Sequence, residues 1–67
     1  MRLDSILVLI HNSSLDIELM TREGGSIVIA DRETIVRGYN SLLEYRVIGI
    51  NAQSFSGKNL LVLTLDK

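Results

Sequence analysis

The chain has no cysteine, no proline and no tryptophan, and only three of its 67 residues are aromatic: Tyr39, Tyr45 and Phe55. Without cysteine there is no disulfide and no thiolate metal site. One histidine, His11, cannot build a zinc site unless several carboxylates stand beside it. Without proline, no edge strand is blunted by a missing N–H. An excess of one charge is also lacking: seven Lys and Arg stand against eight Asp and Glu, for a net charge of −1. No basic tract offers a broad grip on nucleic acid, and no acidic run mimics it. Long apolar runs are missing too. The stretch Ile6-Leu7-Val8-Leu9-Ile10 is too short for a signal peptide or a membrane span. The expectation is a cytoplasmic protein that neither enters a membrane nor carries a cofactor. Asn12-Ser13-Ser14 matches a glycosylation sequon, which carries no weight without a secretion signal.

What is present is aliphatic. The apolar fraction is 46%, high for a chain that buries only about 60% of its unfolded surface. Small scaffolds are held by disulfides, metals or partner chains. With the first two excluded, self-association is the remaining staple, most simply as a homodimer.

Leu3, Ile6, Leu7 and Ile10 recur at helical spacing and predict a lead helix. Asp4 favours the positive end of its dipole. Val8 and Leu9 blur the stripe and leave a buried strand as the alternative. Leu15-Asp16-Ile17-Glu18-Leu19 alternates strictly, as a half-buried strand does. Arg22-Glu23-Gly24-Gly25 supplies turn chemistry, and Ser26-Ile27-Val28-Ile29-Ala30 is β-branched, a natural return strand. Asp31 can then cap a helix on which Ile35, Val36, Tyr39, Leu42 and Leu43 repeat. Gly38 falls inside that helix, or splits it into two short turns with Asn40 as a new cap. The last third, Arg46 to Asp66, reads as two strands joined at Ser56-Gly57-Lys58-Asn59. Strict alternation puts Val47, Gly49, Asn51 and Gln53 on one face of the first strand. Leu61, Leu63 and Leu65 share one face of the second, with Leu60 and Val62 on the other.

The fold class expected is α+β: helix, strand, strand, helix, strand, strand. The sheet is four-stranded and mainly antiparallel, with helices on one face. A strand apolar on both faces must be covered on both. Val47, Leu60 and Val62 are therefore the expected subunit interface.

Chemistry is sparse. His11 has no orienting carboxylate nearer in sequence than Asp4. Asp16 and Glu18 share a strand face, but a catalytic carboxylate pair needs a cleft around it. The Ser-Gly-Lys-Asn turn is not a phosphate loop, because Ala52 and Asn59 stand where that motif needs Gly and Ser or Thr. Gly24-Gly25 is explained by a turn before an anion nest. Arg37, Arg46, Tyr45 and Phe55 belong to the residue types enriched at protein interfaces and are the expected partner-binding residues.

Val36-Arg37-Gly38-Tyr39-Asn40 resembles the short I-R-G-x-N signature of Sm-like RNA-binding proteins. That likeness implies a strand in place of the middle helix, with Arg37 and Asn40 facing RNA. The longer first Sm motif is absent ahead of it. In general organisation the chain resembles small accessory proteins encoded by phages and mobile elements. The likeness rests on a short lead helix, the Leu15–Ala30 hairpin, and Glu44-Tyr45-Arg46-Val47-Ile48-Gly49-Ile50 before a leucine-rich strand. It implies a non-enzymatic, anti-CRISPR-like inhibitor of a host defence component. The leading expectation is thus a homo-oligomeric protein that occupies a partner protein's surface. The alternative is a nucleotide or RNA binder with its ligand at a subunit interface, on Arg37, Arg46 and Asn51.

Overall fold

A computed structural model describes residues 1–11 and 15–67, apart from the side chain of Phe55. The expected break and the sequon fall on residues 12–14, outside the described residues. The elements run α1 (Leu3–Leu7), β1 (Asp16–Met20), β2 (Ser26–Ala30), α2 (Arg32–Gly38), a 3₁₀ turn (Asn40–Leu42), β3 (Val47–Phe55) and β4 (Lys58–Leu65).

The four strands form one sheet in the order β2-β1-β4-β3. Both outer pairs are antiparallel, but the central pair, β1 and β4, is parallel. The sheet is therefore mixed, a correction to the mainly antiparallel sheet expected. The physical reason lies in the crossover: the segment through α2 starts β3 in the same direction as β2, so its hairpin return β4 runs parallel to β1. Leu61, Leu63 and Leu65 fill one face while Leu60 and Val62 occupy the other, so β4 takes an interior position. The segment through α2 then carries the chain from one sheet edge, β2, to the other, β3.

The core is a single cluster. Ile17 and Leu19 from β1 and Leu63 and Leu65 from β4 meet Leu3, Ile6 and Leu7 from α1, Ile35 from α2, and Leu42. Leu3, Ile17, Leu19, Ile35, Leu63 and Leu65 are fully buried, each contributing about 1.5–3 kcal/mol through burial.

α1 has five residues, shorter than the apolar stripe suggested. No side chain caps its start at Arg2. Instead the Leu3 N–H donates to the Tyr45 carbonyl at 2.9 Å and the Asp4 N–H to the Leu43 carbonyl at 3.1 Å. The first amides of the helix, which have no partner inside it, are thus satisfied by the segment that follows α2. At the other end Arg32 Nε donates to the Leu7 carbonyl at 3.3 Å, a cation on the negative end of the helix.

α2 begins at Asp31, whose side chain accepts from the Thr34 N–H at 2.9 Å. The helix ends at Gly38, so that glycine is terminal rather than interior. The 3₁₀ turn follows, with Tyr39 at its start and no side-chain cap. Since Val36, Arg37 and Gly38 are helical, the Sm-like reading, which needed a strand there, is overturned.

Two turns set strand direction. Thr21 closes the first: its N–H donates to the Gly25 carbonyl at 2.8 Å and its Oγ1 accepts from the Gly25 N–H at 3.0 Å. Gly24 there has φ +93°. In the second, Phe55 faces Lys58 across a two-residue turn, with Ser56 at φ 53° and Gly57 at φ 75°. Two central residues at positive φ are what the twist of a tight hairpin requires.

The ladder of β3 against β4 contains one irregularity. Val47 faces Leu65 and Gly49 faces Thr64, so Ile48 is skipped. The skip puts Val47 on the face of Leu65, toward the core, where it packs against the buried cluster. This corrects its expected place beside Leu60 and Val62. Strict alternation cannot hold through a bulge.

Candidate binding surfaces

α1 and α2 both pack on the core, and an exposed apolar residue follows a buried one at the end of α1 and within α2. On α1, Leu7 is buried and Val8 follows it. On α2, Ile35 is buried and Val36 follows it. Neighbouring positions on a helix cannot share a face, so both valines project from the core-facing stripe. Val8 is 65% exposed, Leu9 66% and Val36 41%. Between the helices runs a groove of 210 Å³ lined by Asp4, Leu7, Val8, Arg32, Val36 and Leu43. Its two charged residues are already engaged. Asp4 pairs with Arg2 at 2.9 Å, and Arg32 is held by the Leu7 carbonyl. What the groove offers a ligand is aliphatic.

A polar network lies where β1 and β4 end and β3 begins. Asp66 accepts from Arg22 Nη1 at 3.0 Å and from Arg46 Nη2 at 3.1 Å. Lys67 Nζ sits 4.9 Å from the Tyr45 ring centroid and reaches its hydroxyl at 3.4 Å. A shallow depression of 420 Å³ beside it is lined by Arg22, Glu23 and Lys67, of mixed charge. Exposed pairs of this kind contribute about 0–1 kcal/mol each, and their main effect is to fasten the end of β4 to its neighbours.

The expected partner-binding residues are not brought together. Arg37 stands on the outer side of α2, paired with Glu33 at 3.6 Å. Arg46 is tied to Asp66. Tyr45 is half-buried, packs on the core and is engaged by Lys67. Phe55 ends β3, nine positions from Arg46 and so roughly 30 Å along the strand; its side chain lies outside the described residues. Of the residues proposed for a nucleotide or RNA, Asn51 faces Val62 on the sheet surface away from the helices, whereas Arg37 is in the helical layer. One chain does not gather Arg37, Arg46 and Asn51 into a site.

The expected subunit interface changes as well. Val62, although on the face away from the helices, is 7% exposed. It lies on a central strand between Glu18 and Asn51. Leu60 is half-buried. The surplus of open apolar surface is elsewhere: on the helical layer, at the β3 edge through Met1, Ile48 and Ile50, and at Ile29 on the β2 edge.

Other titratable candidates have ordinary surroundings. Glu18 accepts from Ser26 Oγ at 2.7 Å across the first hairpin, and His11 is exposed. The Asp31 carboxyl is held below its usual range by hydrogen bonds from the Thr34 hydroxyl and backbone N–H, the signature of a helix cap. Among the described residues no three His, Asp or Glu side chains gather closely enough to hold a metal. No helix among them is long and apolar enough to cross a membrane. The groove was missed at the sequence level, although Val8 and Leu9, off the helical stripe, were its available signal. No family model, curated protein or solved structure matches the chain.

Proposed function

We propose that this chain is a small, non-enzymatic binding protein. It acts as a homo-oligomer that occupies a partner protein's surface through the groove between α1 and α2. The observation that carries the reading is the exposure of Val8 and Val36 on the two sides of a groove whose charged residues are already paired. Single exposed apolar residues are ordinary on protein surfaces, but a contiguous set around a concavity marks an interaction site. The groove has room for one or two aliphatic side chains. An amphipathic segment presenting a leucine or isoleucine is the matching ligand chemistry. The organisation shared with small phage and mobile-element proteins makes a cytoplasmic host defence component the partner class to screen first.

Burying one such side chain contributes about 1.5–3 kcal/mol, one to two orders of magnitude in affinity. A partner is recovered by pull-down from the native host, purified, and titrated against intact chain, Val8→Asp, Val36→Asp and a Ser41→Asp control. Both groove variants weaken binding by about tenfold or more, and the control leaves it unchanged. Equal affinity for all four chains refutes the groove. Absorbance at 260 nm that persists in the pure protein and yields a nucleotide by mass spectrometry refutes the protein-binding reading in favour of the nucleotide one.

A further inference from the structure

We infer that β3 is a self-pairing edge: two copies of this chain join antiparallel along β3, about a two-fold axis beside Asn51, into one continuous eight-stranded sheet. The inference rests on the self-association in the proposed function, but not on the groove.

β3 is a sheet edge, and an edge presents unpaired N–H and C=O groups that template another strand. Proteins protect such edges with charge, proline, brevity or a bulge. β3 is nine residues long and carries no charged residue and no proline from Val47 to Phe55. Its one bulge is at Ile48, and the ladder from Gly49 to Phe55 is regular. The start of the strand is already covered, because the Val47 N–H donates to the Met1 carbonyl at 2.7 Å. Beyond that point the edge is open.

The tight turn fixes which groups are free. A β-turn closes with the carbonyl of its first residue on the N–H of its last, so Phe55 turns its backbone groups toward Lys58. Strand alternation then sends the N–H and C=O of Ser54, Ala52 and Ile50 outward. The same alternation puts the Ile50 side chain on the core-facing side, opposite Leu63, which is fully buried. Yet Ile50 is 62% exposed. The helical layer covers β4 and stops short of β3, and a second β3 supplies the missing neighbour.

A two-fold axis at Asn51 places Ile50 opposite Ala52 of the second copy, and the reverse, in hydrogen-bonded pairs. Asn51 faces its own copy in a non-hydrogen-bonded pair, where two amides can bond each other. An uncharged strand faces itself without repulsion, and the isologous contact closes, so growth stops at two. A contact of one strand with a few aliphatic neighbours is at the low end of specific interfaces, so the association is a weak one.

The chain has no cysteine, so Asn51→Cys introduces a single thiol. Facing residues in a non-hydrogen-bonded pair have Cα atoms about 4.5 Å apart, inside the range a disulfide accepts. Full-length Asn51→Cys is oxidised mildly beside a Ser26→Cys control on the opposite edge, β2. In parallel, intact chain, Ile50→Lys and Ile29→Lys are sedimented from roughly micromolar to a few hundred micromolar concentration. Far-UV circular dichroism checks that each variant is folded.

The expected result is a covalent dimer for Asn51→Cys well in excess of Ser26→Cys. In sedimentation the intact chain and Ile29→Lys form a saturating dimer, and Ile50→Lys weakens it by about tenfold or more. Should Ile50→Lys not fold, the cysteine pair decides alone. A dimer indifferent to Ile50→Lys, with no preferential cross-linking at Asn51, overturns the β3 edge and leaves self-association standing. A monomer throughout overturns both, while the groove titration remains a separate measurement. Growth beyond a dimer overturns the two-fold in favour of β2 meeting β3 head to tail.

Discussion

The placement of α2 can be tested by two substitutions one residue apart. Ile35 is the one buried residue of α2, and Val36 beside it faces the groove. Ile35→Ala removes three carbons from a fully buried site. At about 0.8 kcal/mol per buried carbon this is roughly 2.4 kcal/mol, and the cavity left behind brings the total to about 2–5 kcal/mol. Val36→Ala removes two carbons that are little more than half shielded and leaves no cavity, so its cost is about 0.5–1 kcal/mol. A domain of 67 residues has a stability of roughly 3–10 kcal/mol. Ile35→Ala therefore removes a large share of it, while Val36→Ala stays within the native baseline. With two tyrosines and no tryptophan, urea unfolding is followed by far-UV circular dichroism. For a chain this small m is about 1 kcal/mol/M, so the midpoints of the two variants separate by about 1 M or more. The α2 amides report in parallel by hydrogen exchange, because a seven-residue helix has no stability without docking. If the midpoints of the two variants coincide, Ile35 does not anchor α2. The groove, whose outer wall is α2, then loses its physical basis.

Two further outcomes follow from the same helix. A Cβ added at Gly38, the last residue of α2, meets nothing within 4 Å. Gly38→Ala is expected to stabilise by about 0.5–1 kcal/mol and to raise the melting temperature by roughly 2–8 °C; a fall would show that the helix end is not free. Asp31 titrates below its ordinary value of 3.8 in the fold because Thr34 donates to its carboxylate. Its contribution is complete above that unfolded value and is lost as pH falls through the lower folded one. Asp31→Asn should flatten the decline of melting temperature as pH falls below 3.8, and an unchanged slope would assign acid loss to other carboxylates.

Much of the local structure was legible because its causes are local. The strand Ser26–Ala30 and the cap at Asp31 emerge where β-branched residues meet a carboxylate before a helical stripe. The turn at Ser56-Gly57 needed only a small residue and a glycine between two apolar strands. The parallel pairing of β1 with β4 was not legible. Hairpin signals come from adjacent segments, whereas the contact between Asp16–Met20 and Leu60–Thr64 joins residues more than forty positions apart. Nothing in either strand declares its direction relative to the other. The groove was not legible: Val8 fell off the helical stripe, but Val36, which lines the groove with it, is brought there only by the tertiary packing of α2. The ties of Tyr45 and Arg46 were not legible, because Asp66 and Lys67, which engage them, arrive from the far end of the chain.

The bulge at Ile48 is where a single residue changes the functional conclusion. Counted strictly by twos, Val47 joins Leu60 and Val62, and the open face of the sheet becomes the apolar surface in need of a second subunit. One skipped residue moves Val47 to the covered face, and Val62 proves to be sheltered by its place on a central strand. The excess of exposed aliphatic surface does not vanish with this shift. It lies at Ile48 and Ile50 on an edge strand, at Val8 and Leu9 just past α1, and at Val36 on α2. A covered sheet face would call for a partner packed flat against it, held by side chains alone. An open edge calls for a partner that is itself a strand, held first by backbone hydrogen bonds and given its register by Ile50 and Ala52. The two demands separate experimentally: a charge at Leu60 disrupts the first arrangement and a charge at Ile50 the second.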